Sequence, residues 1–467
     1  MPVVSEEQIE EVSREVSSRY SLTEANAAYR AQAYEATHAA WPTLHLDDVS
    51  GIPFLQDILG VELYQLRARV RAREGDAFAA TCPELIAYEQ YNRTQLGLGD
   101  ATFVYAEAGE APIEIGEACR QGSAFRSLVA FARRVGRLGI HPYMGIESVW
   151  ELARDIHEQA GVPVSVLAPP PPVTWLANDK GDLSAVVEAL LGSEALVETL
   201  RGTSAESLAS HLRELARRHT QVALKMTRCA SAMGNQLFAA SEIMAKDPAG
   251  LVQIAADFLR EKEWDGESEV LAVAWETADS SPSTQLWIPP LGAGSPLLDG
   301  VYEQLLVGEK GVFLGSIPSG LEPQVNEWLG AASLAVASVF QRLGYVGRCS
   351  FDFIQSAAGI RFVECNGRWG GTSTPMHLMD RLFPAGRPAY RARDFVSPEL
   401  SGVPFEQLAE SIGEHLYDRR TGQGRYILYN LGCLDAHGKF DVIALGEDVS
   451  DASRALEENF PAIVASL

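Results

Sequence analysis

The stretch VGRCSFDFIQSAAGIRFVECNGRWGGTSTP, Val346 to Pro375, holds two β-rich runs around a turn of small residues. The first run carries Asp352. The second carries Glu364 and Asn366, with Arg368 just beyond it. Side chains alternate between faces along a strand, so Glu364 and Asn366 share a face. Placing Asp352 opposite Glu364 pairs Ser356 with Ile360. It leaves Ala357-Ala358-Gly359 as a three-residue hairpin loop with glycine at its left-handed position, a favoured connection. That register gathers two carboxylates and an amide oxygen, hard ligands of the kind Mg²⁺ takes together with substrate phosphates. Phe351, Phe353, Phe362 and Val363 supply apolar packing for both strands. Facing carboxylates repel unless a cation or a proton lies between them, so the pattern reads as a metal site rather than as solvated strand ends.

The chain has 467 residues, room for roughly two to four domains with sizeable cores. Its 46% hydrophobic and 21% charged content is that of a globular protein and excludes a disordered one. The net charge of −24 disfavours nonspecific binding to nucleic acid or an anionic membrane. Any phosphate site must therefore concentrate Lys, Arg and metal locally. The six cysteines are dispersed, with no CxxC pair, which fits reduced thiols better than a disulfide framework or a zinc site. MPVVSEEQIEEVSREV is acidic and polar, unlike a secretory signal, and no apolar run approaches the roughly 20 residues a bilayer span needs. The expectation is a cytoplasmic protein with no nucleic-acid or membrane partner.

Within an N-terminal extension of residues 1–50, residues 5–40 read as helix that caps a domain or mediates a homodimer. Residues 51–172 read as an α/β domain, in which VELYQLRARV and ATFVYAE are strands or strand–helix junctions and VPVSVL is a strand. Gly97-Leu98-Gly99 lacks the third glycine of a dinucleotide loop and reads as a turn. Pro169 to Pro172 reads as an extended linker.

Residues 173–275 form a small lobe. In QVALKMTRCASAMGNQLF a strand ends at Lys225, a loop of small residues carries Ser231 and Gly234, and a return strand follows Asn235. Lys225 either reaches phosphates cradled by loop amides or is a surface residue on an edge strand. EVLAVAWE, Glu269 to Glu276, is a nearly continuous apolar strand of the type buried on both faces. As a hinge between lobes it would pin an adenine with backbone groups, with Trp275 and Glu276 at its end. Residues 276–380 make a larger lobe with the metal site, and residues 381–467 a small C-terminal α/β cap. There RPAYRARDFVSP reads as a basic loop, and RYILYNLGCLDAHGKFDVIALG as a hairpin turning at Asp435 to Gly438.

This order of parts resembles the ATP-grasp ligases, whose lobes carry a phosphate-binding lysine, a flexible loop, a hinge strand, and an acid followed by E-x-N-x-R. Here these are Lys225, Cys229 to Asn235, Leu271 to Glu276, Asp352, and Glu364-Cys365-Asn366-Gly367-Arg368. SPSTQLWI (Ser281 to Ile288), Gln304, GVFLGSIPS and RWGGTSTPMHL (Arg368 to Leu378) look like the pheganomycin-type peptide ligases with a pre-ATP-grasp domain. The resemblance covers most of residues 60–460. It implies a fold of two α+β lobes preceded by an α/β domain.

The implied activity is ATP-dependent: a carboxylate becomes an acyl phosphate and an amine attacks it, forming an amide bond and releasing ADP. Mg²⁺ would be held by Asp352, Glu364 and Asn366. ATP would meet Lys225, Ser231, Gly234, Asn235, Trp275 and Glu276. Arg368 would stabilise the developing oxyanion or orient the carboxylate; alternatively it makes a structural salt bridge to Glu364 or Asp352. Gly370, Gly371 and Thr372 offer backbone N–H groups near the reaction centre. His377 is either a base for the incoming amine or a structural histidine. The implied partners are an amino-acid carboxylate and an amine or peptide. Two alternatives stay open: a carrier-protein thiol as the nucleophile, or a nucleotide-binding protein without catalysis.

Overall fold

The computed structural model describes residues 4–32, 41–53, 55, 58–108, 114–229, 233–308, 311–465 and 467. Five short strands open the fold: β1 (Thr43–Leu46), β2 (Ala77–Ala80), β3 (Thr102–Tyr105), β4 (Leu138–Pro142) and β5 (Val164–Val166). They form a parallel sheet in the order β3-β2-β1-β4-β5. All but β3 are buried throughout, as parallel strands covered by crossover helices must be. The central strand lies at residues 43–46, so the α/β unit begins before residue 51, inside the segment expected to be a helical extension.

Val61–Val70 is a 3₁₀ helix, not a strand. Its alternating Arg67, Arg69 and Arg71 imitate a strand's polar face, yet all three are buried and paired, with Asp47, Glu89 and Asp47 respectively. The helix Glu6–Arg19, started by a capping box on Ser5, packs on the long helix Pro323–Arg342.

Pro171 and Pro172 open the helix Pro171–Ala177, where fixed φ and a missing N–H do no harm. This helix and the next, Lys180–Leu191, bury Val173, Leu176, Leu183 and Val187 in one core with Phe340, Phe351 and Phe362. Residues 173–191 therefore belong with the larger lobe, because their apolar faces are covered there. The small lobe proper is an antiparallel sheet of β6 (Thr199–Gly202), β7 (Gln221–Met226), β8 (Asn235–Ala239) and β9 (Val270–Ala274) in the order β6-β9-β7-β8. The helices Ala205–Ala216 and Pro248–Glu261 pack on it. The hinge strand β9 is buried at every residue, as expected from its apolar run.

The larger lobe is an eight-stranded sheet. It contains β10 (Pro282–Ile288), β11 (Leu297–Val307), β12 (Val312–Pro318), β13 (Gly347–Ser356), β14 (Gly359–Asn366), β15 (Ala389–Val396), β16 (Tyr426–Tyr429) and β17 (Lys439–Gly446). Their order is β14-β13-β10-β11-β12-β15-β17-β16. One strand differs from the expectations: most of the stretch read as a basic loop, AYRARDFV, is β15, whose basic residues find partners across the fold, as in the Arg391–Glu457 pair, and Gln304 lies within β11. The C-terminal α/β unit is thus continuous with the larger lobe. β16 and β17 pair antiparallel as expected, but short helical turns over Leu431–Cys433 and Leu434–His437 connect them instead of a tight turn.

Candidate active site

Asp352 and Glu364 are register partners across β13 and β14, as the sequence suggests. The turn is not the expected one. Ser356 pairs with Gly359, leaving a two-residue loop of Ala357 and Ala358, and the register shifts just past Asp352 so that Phe353 pairs with Phe362. Val363 is the extra residue of a β-bulge, a device that re-aims a neighbouring side chain beside a site. The shorter loop and the bulge compensate one another, so the carboxylates meet although the turn residues do not match.

Around Asp352 a hydrogen-bond chain is complete. Ser283 Oγ donates to Oδ1 at 2.7 Å, Gln285 Nε2 donates to Ser283 at 3.0 Å, and Asn366 Nδ2 donates to Oδ2 at 2.8 Å. Ser283 reaches Asp352 because β10 pairs with β13 in that register. Burial, and then the charge of Glu364, push the Asp352 carboxyl up to about 7. Burial opposes ionisation of Glu364 too, but the Lys180 ammonium, with Lys225 and Arg368 farther off, holds it below the usual carboxylate range. Two facing carboxylates with their titrations driven apart need a cation beside them.

One such cation is Lys180, which sequence reading passed over. Its Nζ lies 3.0 Å from Glu364 Oε2 and 3.4 Å from both the carbonyl oxygen and Sγ of Cys229. Burial works against its charge, yet Cys229 and Glu364 hold its pKa above the usual lysine value. Lys180 opens a helix capped by Asp179, whose carboxylate accepts from the N–H groups of Gly181 and Asp182. The available signal was that Asp-Lys pair at a helix start; nothing local showed that the start faces the hairpin.

Lys225 is the penultimate residue of β7, opposite Asn235, and is buried, with Nζ 4.9 Å from the centre of the Trp275 ring. Burial and the nearby Lys180 lower its pKa. It is an interior residue of the sheet, paired on both sides, and not a surface lysine on an edge. Gly234 sits so close to Cys229 that a Cβ would lie 2.6 Å from the Cys229 Cβ. Ser231 lies outside the described residues.

Lys225, Asn235, Ser283, Asp352, Glu364 and Asn366 line one cleft of about 920 Å³, whereas Gly234 does not line it and Lys180 meets it only through Glu364. Trp275 and Glu276 lie at its hinge, where Ser356 Oγ donates to Glu276 at 2.6 Å. Arg368 lines it and makes no ion pair among the described residues; its guanidinium lies 5.9 Å from the Tyr143 ring centre and donates to the Trp369 carbonyl. The expected structural alternative, a salt bridge to Asp352 or Glu364, is therefore absent there. Gly370, Gly371 and Thr372 also line the cleft, just ahead of the helix Ser373–Leu382. His377 does not line it. The ring packs edge-on against Trp369, and burial together with Arg381 and other arginines pushes its pKa well below the usual value. That environment opposes protonation, and the position removes His377 from the candidate bases. Other basic residues near the hairpin are engaged elsewhere: Arg348 pairs with Asp299, neither of them lining the cleft, and Arg361 folds back on the Ala358 carbonyl, while Lys310 lies outside the described residues.

Among the described residues no cluster of three or more His, Cys, Asp or Glu side chains is placed to hold a metal. Two facing carboxylates with an adjacent amide nevertheless suit Mg²⁺, which keeps few protein ligands and fills its octahedron with phosphate and water. No helix among the described residues is long and apolar enough to cross a membrane.

No family model matches the chain, and no curated protein matches it in sequence. Solved structures do. N5-carboxyaminoimidazole ribonucleotide synthetase from Thermus thermophilus is 15% identical, with 91% of this chain and 98% of that one covered and a TM-score of 0.51. The biotin carboxylase domain dimer of Hydrogenobacter thermophilus 2-oxoglutarate carboxylase, in complex with MgADP, ADP and bicarbonate, is 13% identical, with 91% and 92% covered and a TM-score of 0.54. An ADP complex of purK, also an N5-carboxyaminoimidazole ribonucleotide synthetase, is 13% identical, with 91% and 98% covered and a TM-score of 0.51. The chain has the ATP-grasp fold.

Proposed function

We propose that the protein is an ATP-dependent carboxylate–amine ligase working through an acyl phosphate and releasing ADP and phosphate. The observation that carries this is the convergence of Lys180, Lys225 and Arg368 on the Asp352–Glu364 pair, which lines one cleft with Trp275 and Glu276 of the hinge. The similar solved structures, two of them with ADP in their descriptions, support nucleotide use at this fold.

Phosphoryl transfer asks a protein for positioning and charge neutralisation rather than covalent help. The base and ribose of ATP would lie against Trp275 and Glu276, and its phosphates beside Asn235, all three of which line the cleft. Lys225 presents a buried ammonium to the triphosphate as a point charge, and Lys180 keeps Glu364 ionised beside it. Asp352, Glu364 and Asn366 would hold Mg²⁺, which would supply charge neutralisation for phosphoryl transfer. Asn366 must then turn its amide so that the oxygen, not Nδ2, faces Asp352. Arg368, free of ion pairs among the described residues, orients the substrate carboxylate and stabilises charge as the acyl phosphate forms and collapses. The helix N-terminus after Gly370-Gly371-Thr372 adds N–H groups and a favourable dipole for that oxyanion. Burial of the site protects an acyl phosphate from water.

The finer part of the proposal is that the acyl donor is an unusual amino acid and the acceptor an amine or peptide, as in the peptide ligases the motifs resemble. An ADP-release assay over paired amino acids and amines tests it: release should depend on the free amine. Glu364→Gln should abolish ADP formation while circular dichroism stays unchanged. Full activity in that variant, or formation of AMP, would overturn the proposal; release that requires a carrier protein would replace amine ligation with thioester loading.

A further inference from the structure

Arg67 is a cation of the cleft whose donors the fold leaves unused. Its side chain keeps only 8% of its surface exposed, and it lines the cleft. Its guanidinium lies 4.8 Å from the centre of the Tyr64 ring and 4.9 Å from that of Tyr143, and both tyrosines line the cleft as well. Stacking on aromatic faces holds a planar guanidinium through its π surface and leaves the N–H groups at its edge free. Asp47 Oδ2 lies 3.3 Å from Nε, yet Nε makes no hydrogen bond, and no other nitrogen of the group donates one among the described residues. Donors of a charged group left without acceptors cost stability until something fills the place.

The charge around Arg67 is incomplete too. Asp47 is shared between Arg67 and Arg71, so one carboxylate serves two guanidiniums. Asp394 is taken by Lys439, which lies 3.3 Å away and also donates to the Tyr64 hydroxyl. Asp441 faces Asp394 across the sheet, and burial together with that charge opposes its ionisation. Of Arg67, Arg71 and Asp47, one positive charge is left over, the complement of a carboxylate rather than of a phosphate dianion. The position suits a ligand. Asp47 directly follows β1 and Tyr143 directly follows β4, where the parallel sheet reverses its strand order. Open parallel sheets bind ligands in that crevice, outside the carboxyl ends of their strands. The Arg368 guanidinium lies 5.9 Å from the same Tyr143 ring centre, so the place adjoins the reaction centre.

We infer that Arg67 binds a carboxylate that the reaction does not consume, the free carboxylate of the amine acceptor, so the acceptor is an amino acid or a peptide with a free C-terminus. The acyl donor's carboxylate meets Arg368 and is converted there. An acceptor amino acid brings a second carboxylate, which a guanidinium with a free edge accepts through charge-assisted hydrogen bonds, two of them when the fork is engaged side-on. Two guanidiniums around one tyrosine thus give donor and acceptor separate anchors next to each other. The inference rests on the ligase proposal for the identity of the acceptor; that Arg67 binds a carboxylate rests on the cleft alone.

The test is calorimetry on the full chain, with and without Mg·ADP, using free amino acids and dipeptides beside their C-terminal carboxamides. At least one free acid should bind about ten or more times tighter than its carboxamide, the size of effect that a hydrogen bond to a charged group gives. In Arg67→Gln that ratio should fall to near one while Mg·ATP affinity stays within about twofold, as for independent sites. In Arg368→Gln the ratio should persist. Arg71 still neutralises Asp47 when Arg67 is replaced, so no buried carboxylate is left bare. Arg67→Lys, which keeps the charge but not the fork, should give an intermediate ratio. Equal binding of acids and carboxamides, a ratio retained in Arg67→Gln or lost in Arg368→Gln, or no binding by any compound would each overturn the assignment. So would a lowered Tm in both Arg67 variants, which would mean that Arg67 serves the fold. A ratio confined to dicarboxylic compounds would place the anion on the acyl donor and overturn the acceptor assignment. Absence of Mg·ATP binding in the wild type would sink the ligase proposal instead, leaving the ratio measured without nucleotide to stand or fall separately.

Discussion

Replacing Asp352 by Asn should make the protein more stable and inactive at once. The Asp352 carboxyl is pushed up to about 7 by burial and by Glu364, from an ordinary value of 3.8. A carboxyl whose pKa is raised on folding costs stability at every pH where the unfolded chain is ionised. The cost begins near the unfolded value, grows as pH rises and is complete above the folded value. A rise of that size corresponds to roughly 4 kcal/mol of destabilisation above about pH 7 in the metal-free protein. Asn keeps the shape, still accepts from Ser283, and carries no charge, so most of that cost should vanish. Urea unfolding followed by tryptophan fluorescence in EDTA checks this. At about pH 8 the variant should exceed wild type by a few kcal/mol, and the gap should shrink steadily as pH falls from about 7 towards about 4. Millimolar Mg·ATP should stabilise wild type and leave the variant unmoved. A variant no more stable than wild type under those alkaline conditions, or a gap independent of pH, would show that the two carboxylates do not oppose one another. The whole electrostatic account of the site would then be wrong.

Lys180→Met should remove the buried partner of Glu364 and cost about 3 kcal/mol of stability, the low end for a broken buried pair because Lys225 and Arg368 remain nearby; ATP affinity measured by calorimetry should fall at least tenfold. Arg368→Lys retains the charge but loses the planar fork, so steady-state ADP formation should show kcat down about a hundredfold with the KM for ATP little changed. Gly371→Ala would drive a Cβ into the Phe313 ring; it should lower the unfolding midpoint by an amount equivalent to about 1–3 kcal/mol unless Phe313 swings into the cleft, in which case substrate KM rises.

Much of the architecture was legible because it rests on local patterns. The apolar run of β9 and the alternation of β13 and β14 each declare a period and a partner face. Where reading failed, tertiary burial had overridden a local signal. RPAYRARDFV looked like a basic loop because its arginines are neutralised by residues far along the chain, such as Glu457 for Arg391. Residues 61–70 looked like a strand because buried arginines at every second position imitate one.

The candidate site divides along the same line. The sequence by itself determined Asp352, Glu364, Asn366 and Arg368, because a hairpin brings residues into register through short-range pairing. It also placed Lys225, since that strand returns within a few residues to pair with Asn235. Only the tertiary structure decided that Lys180 sits on Glu364, that Arg368 is left without an ion pair among the described residues, that His377 turns to Trp369, and that Asp394 meets Asp441. Those contacts join segments tens to hundreds of residues apart or depend on which face a helix buries. No spacing in the chain encodes them, and they form only when separate hydrophobic faces pack together.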